Sequence, residues 1–218
     1  MSTATVGVIT SSGPDLAAIQ AHVDREIEET LAALPDPALL SAEARRGIVA
    51  RYTAVLEGNF IYWMTGAYIA AGSEEARAKI IDNLREEVRD SHPGMMRRFA
   101  LAAQAAPTEA DFAAVYRPLM DVRQFIGRLA AVPSVVAMAY FEGFIQRFMP
   151  YLADLAVRQG SSELEYTDVH GVCDITHTQE LFRALDAELA LAPAQSPEQM
   201  FEGIGLLRTL LGRIATAN

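Results

Sequence analysis

"VHGVCDITHTQ", residues 169–179, places His170, Asp174 and His177 at spacings of four and three. On a helix of 3.6 residues per turn those spacings put the three side chains at roughly 0°, 40° and −20°, all on one face. Two imidazoles and a carboxylate so arranged can converge on one ion, and the donor set suits borderline metals such as Fe, Mn or Zn. The same face would also serve as a solvated polar stripe or as a pair of hydrogen-bonded core histidines. The rest of the chain has to distinguish these readings.

Upstream, in "SVVAMAYFEGFIQRFMPYL", the helical neighbours of Glu142 are Val135, Met138, Ala139, Ile145 and Met149, so this carboxylate is expected to face the core. A buried acid must be protonated, ion-paired or bound to a cation, and Arg123 and Arg147 are the arginines expected to compete for it. Glu57 in "AVLEGNFIYWMTGAY" shares its face with Ala54, Phe60, Ile61 and Met64 and raises the same conflict. In "IIDNLREEVRDSHPGMMRRF", His92 is in phase with Ile81, Val88 and Phe99, and Glu87 with Ile80 and Leu84. Five residues apart, Glu87 and His92 sit about 140° from each other on an ideal helix, and a π-bulge would be needed to bring them together. Glu86 competes with Glu87 for the same role, and Glu86, Glu87 and Asp90 could equally form a solvated face pairing with Arg85 and Arg89.

The chain of 218 residues has a formal net charge of −10, from 28 acidic and 18 basic residues. No cluster of Lys or Arg follows a phosphate backbone, so nucleic acid is not an expected partner. With Cys173 as the single cysteine, neither an intrachain disulfide nor a C-x-x-C pair can form, which fits a cytoplasmic setting. No apolar run of about eighteen residues is present, so no membrane span is expected. Almost every segment reads at helical period, with breaks at Pro, Gly and Ser clusters. The expectation is an all-α, single-domain bundle over 14–218 behind a flexible arm over 1–13. Its seven helices are placed at 14–34, 42–72, 73–104, 108–130, 133–158, 163–189 and 197–216, with Pro93 kinking the third just after His92.

Three of the four histidines and at least three carboxylates thus fall on core-facing helices, the ligand inventory of a carboxylate-bridged two-metal centre in a bundle. The residues three before the histidines are Ile19, Arg89, Thr167 and Asp174, so the paired E-x-x-H signature of ferritin-like proteins is absent. In "NLREEVRDSH", "YFEGF" and "HGVCDITH", taken in that order, the sequence resembles the haem-oxygenase-like di-iron oxidases and oxygenases, a branch that includes thiaminase-like and pyrroloquinoline-quinone-synthase-like proteins. The likeness runs from about residue 45 onward, and departs from the family pattern at Arg89 and in the short gap before His92.

The resemblance implies a haem-oxygenase-like helical fold and an O2-dependent enzyme. Two iron ions, cycling between Fe(II) and Fe(III), would be held by Glu86 or Glu87, His92, Glu142, His170, Asp174 and His177. Glu57 would correspond to the extra carboxylate ligand of members that oxygenate nitrogen. It further implies a small amine or amino acid as substrate, N-oxygenation or oxidative C–C cleavage as reaction, O2 as co-substrate and an external reductant; a homodimer is compatible with it. Tyr140, Phe141 and Phe144, beside Glu142, are the expected substrate-pocket residues. The alternatives within the fold are a haem protein using His22, a thiaminase-like hydrolase using Cys173, and a non-catalytic helical binding protein. Cys173 reads otherwise as a core residue.

Overall fold

The computed structural model describes residues 15–192 and 195–216, so the expected arm over 1–13 lies outside the described residues. Among the described residues the chain is all helical: α1 (Leu16–Ala32), α2 (Ala42–Ala70), α3 (Glu74–Arg89), α4 (His92–Ala102), α5 (Glu109–Ile126), α6 (Ala131–Arg158), α7 (Glu165–Leu189) and α8 (Pro197–Thr216). Short polar side chains start several of them. Ser41 accepts from the Ala44 amide at the head of α2, and Thr108 and Asp111 form a reciprocal capping box at the head of α5.

The hub is α6, which packs against α1, α2, α7 and α8. Residues 132–145 are buried without interruption, because a helix surrounded on all sides has no face to offer to water. Glu142 lies inside that stretch and is 1% exposed, as the spacing of its neighbours predicts. Opposite it, α2, α3, α4 and α7 close the bundle. None of the described helices is long and apolar enough to cross a membrane.

The count is eight, where the sequence pattern predicts seven, because the expected helix over 73–104 is two helices. The break does not follow Pro93. It falls at Asp90–Ser91, with Ser91 in the left-handed region at φ 57°, ψ 42°, and Pro93 then sits in the first turn of α4, where its missing N–H is harmless. A second irregularity divides α2, where Glu57 (ψ 94°) and Gly58 (φ 88°) leave helical geometry in mid-helix. Only glycine enters that positive-φ region without steric penalty, which is why the bend is at Gly58. Both irregularities adjoin the cluster of buried polar groups at the centre of the bundle.

Candidate metal centre

On α3 the buried stripe is Ala76, Ile80, Asn83 and Glu87, a helical repeat whose last two members are polar. The break at Ser91 redirects the chain so that His92, the first residue of α4, turns back onto Glu87. Its Nδ1 lies 2.8 Å from Glu87 Oε1, and both side chains are nearly inaccessible. The 140° separation expected on a continuous helix is thus removed by ending one helix and starting another, and no π-bulge is involved. From α7, His170 completes this group: one ligand atom from each of Glu87, His92 and His170 falls within a 4.8 Å set. The Nδ1–H of His170 donates to the Tyr166 carbonyl at 2.8 Å, which leaves Nε2 as the nitrogen with a free lone pair.

A second group adjoins the first. Asp174 is fully buried and His177 is 5% exposed. Asp174 Oδ1 and Glu142 Oε1 stand 3.6 and 3.7 Å from His177 Nδ1. Glu142 also accepts a 2.6 Å hydrogen bond from the Asn83 amide, and Glu86 reaches His177 Nε2 at 2.9 Å from a half-exposed position. Glu86 and Glu87 therefore both approach the cluster, at different histidines. Asp174 Oδ2 and His177 Nδ1 are buried with no hydrogen-bond partner.

Among the described residues no arginine pairs with this set. Arg123 bonds Asn59, and Arg147 pairs with Asp24 and Glu28, so the arginines that could have made Glu142 a structural ion pair are engaged elsewhere. The electrostatics show the strain of that arrangement. Burial, then repulsion from Asp174, pushes the Glu142 carboxyl well above the usual carboxylate range. On His177, burial opposes the charge, but Asp174, Glu142 and Glu86 outweigh it and hold the imidazole up at about 10. On His92, burial is likewise outweighed by Glu87, and its pKa rises. His170 goes down, chiefly through burial. The cluster thus concentrates buried carboxylates whose mutual repulsion a cation would relieve. Three carboxylates, three imidazoles and orphaned buried oxygen and nitrogen atoms fit iron, which takes both donor types.

Three sequence expectations are corrected. Glu57 does not face the core: the bend at Gly58 swings it out of the inward phase, its side chain is 29% exposed, and it pairs with Arg97 of α4 instead of a clustered histidine. Tyr140, Phe141 and Phe144 do not line the cavity that opens on Glu87, His92 and His170. Tyr140 hydroxyl meets Thr30 on α1, Phe141 packs on Phe60 and Trp63, and Phe144 stacks on Phe148, because α6 is buried on every face and its aromatics fill the core. Cys173 is only partly buried, and its thiol donates to Asp174 Oδ1 at 3.1 Å. Burial and Asp174 push its pKa up, the opposite of what a nucleophile requires. His22 sits against Phe201 on the far side of α1, with Arg25 on its ring nitrogen.

The cavity that does reach the cluster is small, with a volume of about 20 Å³. It presents Glu87, His92 and His170 to apolar walls that include Leu56, Phe60, Ile61, Met96 and Ile145, with the Tyr166 ring beside His170. Asn83 and Tyr166 were not among the residues expected from the sequence. Each lies four positions before a ligand candidate, Glu87 and His170, and that spacing is the signal that would have found them.

A family model described as iron-containing redox enzyme matches residues 48–210. The chain belongs to this family. As an iron-containing redox enzyme of haem-oxygenase-like type it is an iron oxidoreductase, and the matched segment holds every residue of the cluster together with the cavity that opens on it. Membership replaces the non-catalytic reading of the same fold. No curated protein sequence matches the chain.

Proposed function

We propose that this iron-containing redox enzyme is an O2-dependent di-iron oxygenase acting on a small amine or amino acid, with N-oxygenation preferred to oxidative C–C cleavage. The observation that carries the reading is the double donor set: Glu87, His92 and His170 on one side, Asp174, His177 and Glu142 on the other, buried with no arginine or lysine among them. Donors divided into two separate sets in this way suit two ions better than one. When bound, two Fe(II) ions supply the electrons and open coordination positions for O2 activation, with an external reductant as the partner this chemistry requires.

The protein's own residues do the rest. Glu142 stands 3.7 Å from His177 and would be a carboxylate ligand on that side of the centre, and Asn83 fixes its orientation through the 2.6 Å hydrogen bond. Tyr166 holds the His170 tautomer. The apolar walls exclude water from the side on which Glu87, His92 and His170 face the cavity. No Lys or Arg lines that cavity, so a substrate carboxylate finds no cation on its walls, whereas an uncharged amine finds apolar contacts and the centre itself.

The test is iron stoichiometry followed by turnover. Metal-free protein loaded anaerobically with Fe(II) should retain about two ions per chain, and His170→Ala or His177→Ala should lose iron while keeping helical content by circular dichroism, since the hydrophobic core does not depend on the metal. Oxygenation of the loaded enzyme with a panel of amines and amino acids should yield hydroxylamine or nitro products by mass spectrometry. Retention of a single ion by the wild type, or undiminished iron in either variant, would refute the di-iron assignment.

A further inference from the structure

The helical turn between His170 and Asp174 places Cys173 at an unexpected position. Its sulfur lies 3.1 Å from Asp174 Oδ1, which in turn lies 3.6 Å from His177 Nδ1, and ligand atoms of all three residues fall within one 4.8 Å set. A tetrahedral ion bound at about 2.3 Å to sulfur and about 2.0 Å to nitrogen and oxygen has donor-to-donor edges of about 3.3 to 3.5 Å. The sulfur-to-oxygen and oxygen-to-nitrogen separations are therefore within a few tenths of an ångström of the spacing one ion imposes. Two buried atoms independently point to a ligand here: Asp174 Oδ2 and His177 Nδ1 have no hydrogen-bond partner although both residues are at least nine-tenths buried. Cys173 and His177 also border a polar depression with Lys79, Asn83 and Glu86, distinct from the apolar cavity, which gives this half of the cluster its own aqueous approach.

We propose that Cys173 is a further metal ligand, donating its thiolate to the ion held by Asp174 and His177. The proposal rests on the metal reading of the cluster and adds to it a chemical difference between its halves. Glu87, His92 and His170 offer only nitrogen and oxygen, whereas the second set adds a soft sulfur and so favours Zn2+, Co2+ or Fe2+ over hard cations such as Mg2+. On binding, the S–H bond breaks, the proton leaves to solvent through the polar depression, and the sulfur lone pair forms the bond to the metal; no electron is transferred. The same preference makes zinc a competitor for iron at this half of the centre.

The experiment is an anaerobic titration of metal-free wild type, Cys173→Ser and Cys173→Ala with Co(II), following absorption and bound metal together. Wild type should develop a near-ultraviolet sulfur-to-cobalt charge-transfer band that saturates with one of the two bound ions. Both variants should lack the band and hold that ion at least about tenfold more weakly, as expected when one contributor to a metal site is removed. In parallel, the first equivalent of zinc should slow alkylation of the wild-type thiol at least about tenfold. Two tightly bound cobalt ions without the band, or a band that persists in Cys173→Ala, would overturn the sulfur ligand and leave the di-iron reading standing. Failure to bind cobalt at all would overturn both.

Discussion

Raising the pH of the metal-free protein from about 6.5 to about 9 should lower its melting temperature, the reverse of what native carboxylate salt bridges produce as they ionise. His177 carries the largest part of this effect. Burial alone would strip its proton, but Asp174, Glu142 and Glu86 hold its pKa at about 10, against 6.5 for an ordinary imidazole. A group whose folded pKa lies above its unfolded value contributes stability that is complete below the unfolded pKa and lost as pH rises through the folded one. Glu142, raised by burial and Asp174, and His92, raised once Glu87 outweighs burial, act in the same direction. His170, lowered by burial, has the opposite sign, but its loss occurs as pH falls below the imidazole range and so lies outside this window.

The magnitude follows from the His177 shift. At about 1.4 kcal/mol per pKa unit the ceiling is about 5 kcal/mol, of which about 3 kcal/mol disappears between pH 6.5 and 9. Because the proton is shared among interacting groups, about half to all of that amount is expected, or about 1.5 to 3 kcal/mol. In a domain of this size each kcal/mol moves the midpoint by about 2–4 °C, so the fall should be about 3–12 °C. Differential scanning calorimetry of chelator-treated protein measures it directly. His177→Gln should flatten the profile, and saturating Fe(II) or Zn(II) should reverse it, because metal ligands must be deprotonated to bind. A metal-free midpoint that is flat or climbs between pH 6.5 and 9 would refute the reasoning.

Glu142→Gln keeps the side-chain volume while removing a carboxylate that Asp174 already repels, so metal-free stability should change by less than about 1 kcal/mol or rise, while bound iron falls below two per chain. Thermal melts read beside metal analysis check this, and a large loss of metal-free stability would make Glu142 a structural residue. At Gly58, with φ 88° and no heavy atom within 4 Å of an added Cβ, Gly58→Ala meets only backbone strain. It should cost about 1–2 kcal/mol, seen as a drop of about 2–8 °C in melting temperature without loss of iron.

Much of the site is readable one helix at a time. The phase of His170, Asp174 and His177 is a property of local helical geometry, and the inward position of Glu142 follows from its apolar neighbours, because a single helix has one period and a buried face must be apolar around any polar exception. Those features survive in the folded chain, where all four side chains are buried. Glu57 shows the limit of the same logic. Its apolar neighbours mark an inward face only while the helix is continuous, and the bend at Gly58 ends that continuity.

The all-α class, the H-x3-D-x2-H face and the core carboxylate on α6 were determined by the amino-acid sequence, since each depends on contacts within a few residues. Tertiary structure alone decided which groups meet. The break at Ser91 carries His92 onto Glu87, α3 brings Asn83 to Glu142, and the packing of α3 on α7 sets Glu86 against His177. Packing also decided the cavity, because on a helix buried from all sides an aromatic stripe such as Tyr140, Phe141 and Phe144 faces neighbours that periodicity cannot name, whereas Leu56, Phe60, Met96 and Ile145 converge from three helices. Distances between helices come from how their side chains interlock, and that information is distributed over the whole core instead of residing in any one segment.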